Sequence, residues 1–285
     1  MVWFAVGCTR HVAPAEAEPA AARVTDAVRL VSWNIETVGD PGTAQYDAAL
    51  QVLAHLDADV VALQEVQWST DEEWIAQFAA DAGYDGVVTG WPVSYGDDTQ
   101  LILTRLPVSS SAVLDGDTLS GDPLANDLTR SIVTATLDAY GTPLVVATGH
   151  FKASDSDVDE FRRSVDAQRA ASVLGDDPTA AAVFCGDFND DLASPNWPAT
   201  FVQSPVGLPG GYHLGADLVA ELPHGLPNSP FTPFTAAGWV VVDAAQRDGS
   251  TVTRPVSSRR LDYFVTSAAL ADSALAEVYD THDLG

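Results

Sequence analysis

Five short stretches of this chain each set polar side chains directly after an apolar, β-favouring run, where a rigid strand can hold them at a common point. In Val31-Ser32-Trp33-Asn34-Ile35-Glu36 the alternation puts Asn34 and Glu36 on one side of an extended chain. An amide and a carboxylate there suit a metal ion or a phosphate, although the same pair also closes ordinary turns. In Val60-Val61-Ala62-Leu63-Gln64-Glu65-Val66 a carboxylate follows a strand whose composition marks it as buried. Hard divalent cations take such oxygen ligands, and an exposed strand-end glutamate is the plainer alternative. Gly149-His150-Phe151-Lys152 adds the chain's single lysine and an imidazole able to donate a proton or bond a phosphoryl oxygen, against the alternative of a structural histidine. More specific is Phe184-Cys185-Gly186-Asp187-Phe188-Asn189-Asp190, a strand ending in glycine and then a carboxylate and an amide two residues apart. In Arg259-Arg260-Leu261-Asp262-Tyr263-Phe264 an aspartate sits among apolar strand residues, where a charge needs a histidine, metal or arginine partner.

The elements that must position these residues follow from periodicity. Strands are predicted over 28–33, 59–63, 100–103, 130–137, 144–148, 180–185, 239–242 and 260–266, and helices over 46–55, 71–82 and 157–174. A Gly96-Asp97-Asp98 turn precedes strands that follow one another without helices between them, which predicts antiparallel pairing. Residues 192–233, crowded with Pro, Gly and Asn, are expected as a long surface excursion beside a site. The result is an α/β chain with helices outside packed sheets, one domain over 28–285, and residues 1–27 as an appendage.

Ser-Trp-Asn, Leu-Gln-Glu, Gly-His, Gly-Asp-Phe-Asn and Leu-Asp-Tyr, in this order, resemble the endonuclease/exonuclease/phosphatase family. The resemblance spans about 28–285. It implies a four-layered α/β/β/α sandwich of two mixed, mainly antiparallel sheets, with the site at one sheet edge. It further implies hydrolysis of phosphoric esters with Mg2+, Mn2+ or Ca2+, and Glu65 as the principal metal ligand with Asn34 and Glu36 beside it. Asp187 would orient or deprotonate the attacking water, Asn189 would position the phosphate, and His150 would contact phosphate or protonate the leaving group. Asp262 would orient a catalytic histidine. Lys152 and Arg130 are further phosphate candidates, and Arg162, Arg163, Arg259 and Arg260 further cations for it. That histidine belongs to a Ser-Asp-His motif about two dozen residues after the Leu-Asp-Tyr aspartate, and none occurs in this sequence. The expectation is a C-terminal truncation that impairs hydrolysis, with His282 as the rival base.

Forty acids against thirteen bases give a formal charge of −27, which excludes binding to nucleic acid through a broad basic surface and leaves local arginines and metal to do it. A phosphodiesterase acting on nucleic acid is the leading reading. A sphingomyelinase- or inositol-phosphatase-like hydrolase and a non-catalytic binding protein are the alternatives. Cys185 lies in an apolar run and is expected as a buried thiol, so no disulfide framework is implied. Phe4-Ala5-Val6-Gly7-Cys8 resembles the end of a bacterial lipoprotein signal, with a secreted or misassigned start and a chance cysteine as alternatives. With 9–26 as a flexible tether, the expectation is an exported monomer, held at a membrane only through a lipid on Cys8.

Overall fold

A computed structural model describes residues 2–8, 27–66, 72–90, 100–193 and 200–280. In chain order the first half holds β1 (Val2–Cys8), β2 (Val28–Asn34), α1 (Ala44–Leu56), β3 (Val60–Gln64), α2 (Glu72–Asp81), β4 (Gly86–Thr89), β5 (Leu101–Thr104), β6 (Val108–Leu114) and α3 (Gly116–Ser120). The second half holds β7 (Ile132–Ala139), β8 (Thr142–His150), α4 (Asp157–Leu174), β9 (Ala182–Asp187), β10 (Thr200–Phe201), α5 (Ala216–Glu221), β11 (Leu226–Pro227) and α6 (Thr232–Ala236). It ends with β12 (Val240–Val241), β13 (Asp262–Thr266), α7 (Ala268–Ser273) and β14 (Leu275–Asp280).

Two six-stranded sheets carry the fold, in the orders β14-β1-β2-β3-β5-β4 and β12-β13-β9-β8-β7-β6. The first is parallel from β14 through β3 and antiparallel beyond it; the second is antiparallel except between β8 and β9. Period-two alternation sorts each strand's side chains into two layers. Leu30, Val60, Ala62 and Ile102 of the first sheet meet Val133, Val146, Val183 and Phe264 of the second between the sheets. On the outer face of the first sheet, Val31, Trp33, Val61 and Leu63 pack on α1 and α2 through Tyr46, Leu53, Ile75 and Phe78. On the outer face of the second, Ala147, Phe184, Tyr263 and Val265 meet α4 and α6 through Ala167, Ala170 and Phe234. The expected four-layered α/β/β/α sandwich results.

One stretch before the expected boundary at residue 28 also joins the first sheet. Val2–Cys8, read as a signal remnant, has the backbone of a strand between β2 and β14, parallel to both. An apolar Val-Trp-Phe-Ala-Val run is as β-favouring as it is leader-like, and composition alone does not separate the two. The 9–26 tether, the Gly96-Asp97-Asp98 turn and His282 lie outside the described residues. The 192–233 excursion is not all surface: Leu218, Leu222 and Leu226 form a small core with Phe161 and Val165 of α4. Cys185 is buried, as its apolar run predicts, and burial pushes its thiol up to about 12.

Candidate active site

Every one of the five stretches reaches the same rim of the two sheets. Asn34 closes β2, Glu65 follows β3, His150 closes β8, Asp187 closes β9 and Asp262 opens β13. Register is the cause: Asn34 stands opposite Gln64, while Asp187 is flanked by His150 on one side and Asp262 on the other. Asn34 Nδ2 donates to Asp187 Oδ2 at 2.9 Å and Gln64 Nε2 to Thr148 Oγ1 at 2.8 Å, so both bonds tie one sheet to the other. His150 and Asp187 are each preceded by a glycine, and these glycines face each other. A Cβ on Gly186, whose φ is +144°, would lie 1.9 Å from the Gly149 carbonyl oxygen, so no side chain fits. Glu65 and Asn189 sit at φ of +54° and +51°, left-handed conformations that cost a non-glycine residue about 1 kcal/mol. Backbone strain stored at this rim turns both side chains away from the strand's own alternation.

Glu65 Oε1 lies 3.5 Å from His150 Nε2, and Asp187 Oδ2 lies 3.8 Å from it. Asn34 Nδ2 donates to both carboxylates, 2.8 Å to Glu65 Oε1 and 2.9 Å to Asp187 Oδ2. Its Oδ1 accepts the Glu36 N–H at 3.2 Å, which fixes the amide with nitrogen toward the acids. Asn189 donates through Nδ2 to the Phe151 carbonyl and to His150 Nε2, both at 2.9 Å, and its N–H donates to Asp187 Oδ1 at 2.7 Å. With Nε2 accepting, the ring proton belongs on Nδ1. Burial above all, then Arg130 and Lys152, holds His150 well below the usual histidine range, so the imidazole is neutral. Burial pushes Asp187 up, and Asp262 is pushed well above the carboxylate range by burial and by the charges of Asp187 and Glu65.

One donor atom each from Glu65, His150 and Asp187 lies within 4.8 Å of the other two. Nearby, the buried Asp262 Oδ1 has no hydrogen-bond partner. The two converging carboxylates of Glu65 and Asp187 suit a divalent cation, with His150 Nε2, whose lone pair accepts from Asn189, at the edge of the group. The donor set therefore fits a metal.

Other expected site residues are placed elsewhere. Glu36 is exposed on the turn after β2, at φ +52°, because the extended alternation stops at Asn34. Lys152 Nζ turns to Asp159 Oδ1 (3.0 Å) and the Ala153 carbonyl (2.9 Å). Arg130 bonds the His150 and Phe151 carbonyls at 3.4 Å and sends its charge onto His150 and Asp187. Two of the other arginines are corrected to internal roles. Arg163 is buried against Glu160 and the Lys152 and Ser154 carbonyls, and Arg260 against Asp243 and the Val242 carbonyl. Arg162 lies over the Tyr212 ring, and Arg259 reaches Asp190 at 3.5 Å.

Supporting residues escaped the motif reading. Asp166 of α4 accepts the Thr129 and Lys152 N–H groups at 2.8 Å, clamping the segments that carry Arg130 and His150. Thr253 Oγ1 accepts the N–H groups of Leu261 (2.9 Å) and Asp262 (3.2 Å), anchoring the start of β13. Burial pushes Asp166 up to about 6 and Asp190 up to about 7. Folded-state values above the unfolded ones mean that the native chain binds more protons. The stability from these two groups is full below about pH 4 and is lost as pH rises through 6 to 7. In EDTA, the thermal midpoint should therefore fall between pH 5 and pH 7.5, and Asp190→Asn should flatten that fall. A midpoint that rises over this interval in both proteins would contradict it.

Residues 31–283 match the profile of the Endonuclease/Exonuclease/phosphatase family. The chain belongs to that family. No curated protein matches the sequence. Among solved structures, sphingomyelinase C from Streptomyces griseocarneus superposes with a TM-score of 0.55 at 16% identity, over 84% of this chain and 83% of that one. An endonuclease/exonuclease/phosphatase protein from Beutenbergia cavernae gives 0.52 at 18% identity, over 84% of this chain and 64% of its own, a little under two thirds. The human Nocturnin catalytic domain, with a bound sulfate anion, gives 0.50 at 17%, over 85% and 83%. These likenesses establish the family's sandwich fold. Among the described residues no helix is long and apolar enough to cross a membrane.

Proposed function

We propose that this chain is a divalent-metal-dependent phosphodiesterase acting on nucleic acid. The observation that carries this reading is the convergence of Glu65, His150 and Asp187 at a rim also lined by Asp262 and Asn189. A magnesium, manganese or calcium ion held by the Glu65 and Asp187 carboxylates would supply Lewis-acid stabilisation of charge developing on the phosphoryl oxygens. Asn34 holds the two carboxylates in place through its two N–H groups. Asp187 orients the attacking water, and Asn189, bonded to His150 Nε2 and the Phe151 carbonyl, holds the imidazole in place beside the phosphate. Arg130, bonded to the His150 and Phe151 carbonyls, adds positive charge beside the site. Asp262, with a free acceptor oxygen, orients a proton-carrying group.

The test is hydrolysis of bis-p-nitrophenyl phosphate and plasmid DNA with each cation, beside choline phosphate release from sphingomyelin vesicles. Cleavage of the first two, lost in EDTA and in Asp187→Asn, is the expected outcome. Choline phosphate release without DNA cleavage would move the substrate to lipid. Cation binding without turnover on any substrate would sink the enzymatic reading.

A further inference from the structure

Three carboxamides of the first sheet stand in a row at the rim. Asn34 closes β2 opposite Gln64, which closes β3, and the antiparallel register Leu63↔Leu101 brings Gln100, just ahead of β5, beside Gln64. The second sheet has a matching row: Asp187 closes β9, Thr148 lies near the end of β8, and Ser131 comes just before β7. The strand orders β2-β3-β5 and β9-β8-β7 set the two rows against each other pair by pair. Each amide donates across the gap. Asn34 Nδ2 bonds Asp187 Oδ2 at 2.9 Å, Gln64 Nε2 bonds Thr148 Oγ1 at 2.8 Å, and Gln100 Nε2 bonds the Ser131 carbonyl at 2.8 Å.

Both glutamines have their nitrogen on the bonded side, because Gln64 Nε2 also faces the Ala62 carbonyl at 3.2 Å and a carbonyl only accepts. Gln64 and Gln100 are buried, and among the described residues neither Oε1 has a hydrogen-bond partner. A buried acceptor left unpaired destabilises a fold, so an apolar side chain at either position would serve stability better. What apolar packing lacks is direction, whereas a hydrogen bond holds its two partners at a set distance and angle. The site straddles the gap that these bonds span. Glu65 directly follows Gln64 on the first sheet, and its Oε1 lies 3.5 Å from Nε2 of His150, two residues beyond Thr148 on the second. The charges of Glu65 and Asp187 repel each other across it.

We propose that Gln64 and Gln100 are positioning residues: with Asn34 they staple the two sheets together and set the separation at which Glu65 faces Asp187, and so the fit of a cation between them. This rests on the metal-dependent reading above and gives a part in it to two residues that touch neither cation nor substrate.

The test is Mn2+ affinity, read by calorimetric titration, beside the thermal midpoint in EDTA. Gln64→Met combined with Thr148→Val removes donor and acceptor together at nearly constant volume, so in EDTA it should melt no earlier than the wild type. Its Kd for Mn2+ should nonetheless rise by roughly tenfold or more, the scale on which an outer partner of a metal ligand contributes. Gln100→Met should raise Kd too, by less, because its bond lies one strand away from Glu65. Thr148→Ser, which keeps the acceptor oxygen, should bind Mn2+ as the wild type does. Wild-type affinity in the double variant and in Gln100→Met would overturn the proposal and leave the cation site standing. A double variant that melts early yet binds Mn2+ normally would overturn it too, since the amides would then serve the fold alone. Should the double variant not fold, Gln100→Met decides, and unchanged affinity there overturns the proposal. Absence of Mn2+ binding by the wild-type protein would overturn the metal-dependent reading and this one together.

Discussion

Glu65→Gln lowers kcat/KM for phosphodiester cleavage by roughly a hundred- to a thousandfold, the scale on which one preorganised charge-stabilising group contributes in an active site. The change keeps the shape of the side chain and its bond from Asn34, so the loss isolates the charge. Glu65 is one of three carboxyls crowding the rim, and its charge is among those that push Asp262 well above the carboxylate range. In EDTA, Glu65→Gln should therefore unfold no earlier than the wild type, because a repulsion has been removed. With cation the order reverses. At a hundred times Kd, binding to the native wild type adds about 2.7 kcal/mol, and the variant should lose most of that gain. A thermal melt with and without Mn2+ reads both halves. A variant that keeps the cation-induced shift would remove Glu65 from the ligand set, and one destabilised without cation would mean that its role is structural.

The rim was legible in the sequence because each of its residues is local to a strand end, and strand ends are marked by the change from apolar to polar. Gly149 and Gly186 were visible as motif members, but the steric reason for them appears only when β8 and β9 are paired. Whatever depends on long-range packing was hidden. Asp166 reads as an ordinary polar helix position, yet α4 turns it inward onto Thr129 and Lys152. Arg163 and Arg260 read as phosphate contacts, yet both are spent on internal partners. Strand β6 was missed because Val-Ser-Ser-Ser-Ala-Val-Leu is an exposed edge with no buried face to impose alternation. No element was predicted beyond Thr266, where α7 and β14 return the chain to the first sheet beside β1.

The second large effect is on stability. Arg169→Ala should cost about 3 to 5 kcal/mol, the penalty for stripping a buried carboxylate of its partner. Arg169 bonds Asp127 through Nε (3.2 Å) and Nη2 (2.6 Å), and its Nη2 also reaches Asp217 at 2.9 Å. Burial works against the charge, but the bonds to Asp217 and Asp127 outweigh it and push the guanidinium's pKa up. Asp127 has no exposed surface and also accepts the Gly215 N–H at 2.9 Å, so Arg169 joins α4, the segment leading to Arg130, and the 192–233 excursion. Without the cation, Asp127 would remain buried with one N–H donor for a full negative charge. Water would then have to enter, or the segment before Thr129 would have to move. Pairing Arg169→Met with Asp127→Asn should recover much of the loss, since it removes the buried charge along with its partner. Urea midpoints for the single and double variants measure both quantities. A single-variant cost below about 1 kcal/mol, the range of exposed ion pairs, would mean that Asp127 does not depend on Arg169.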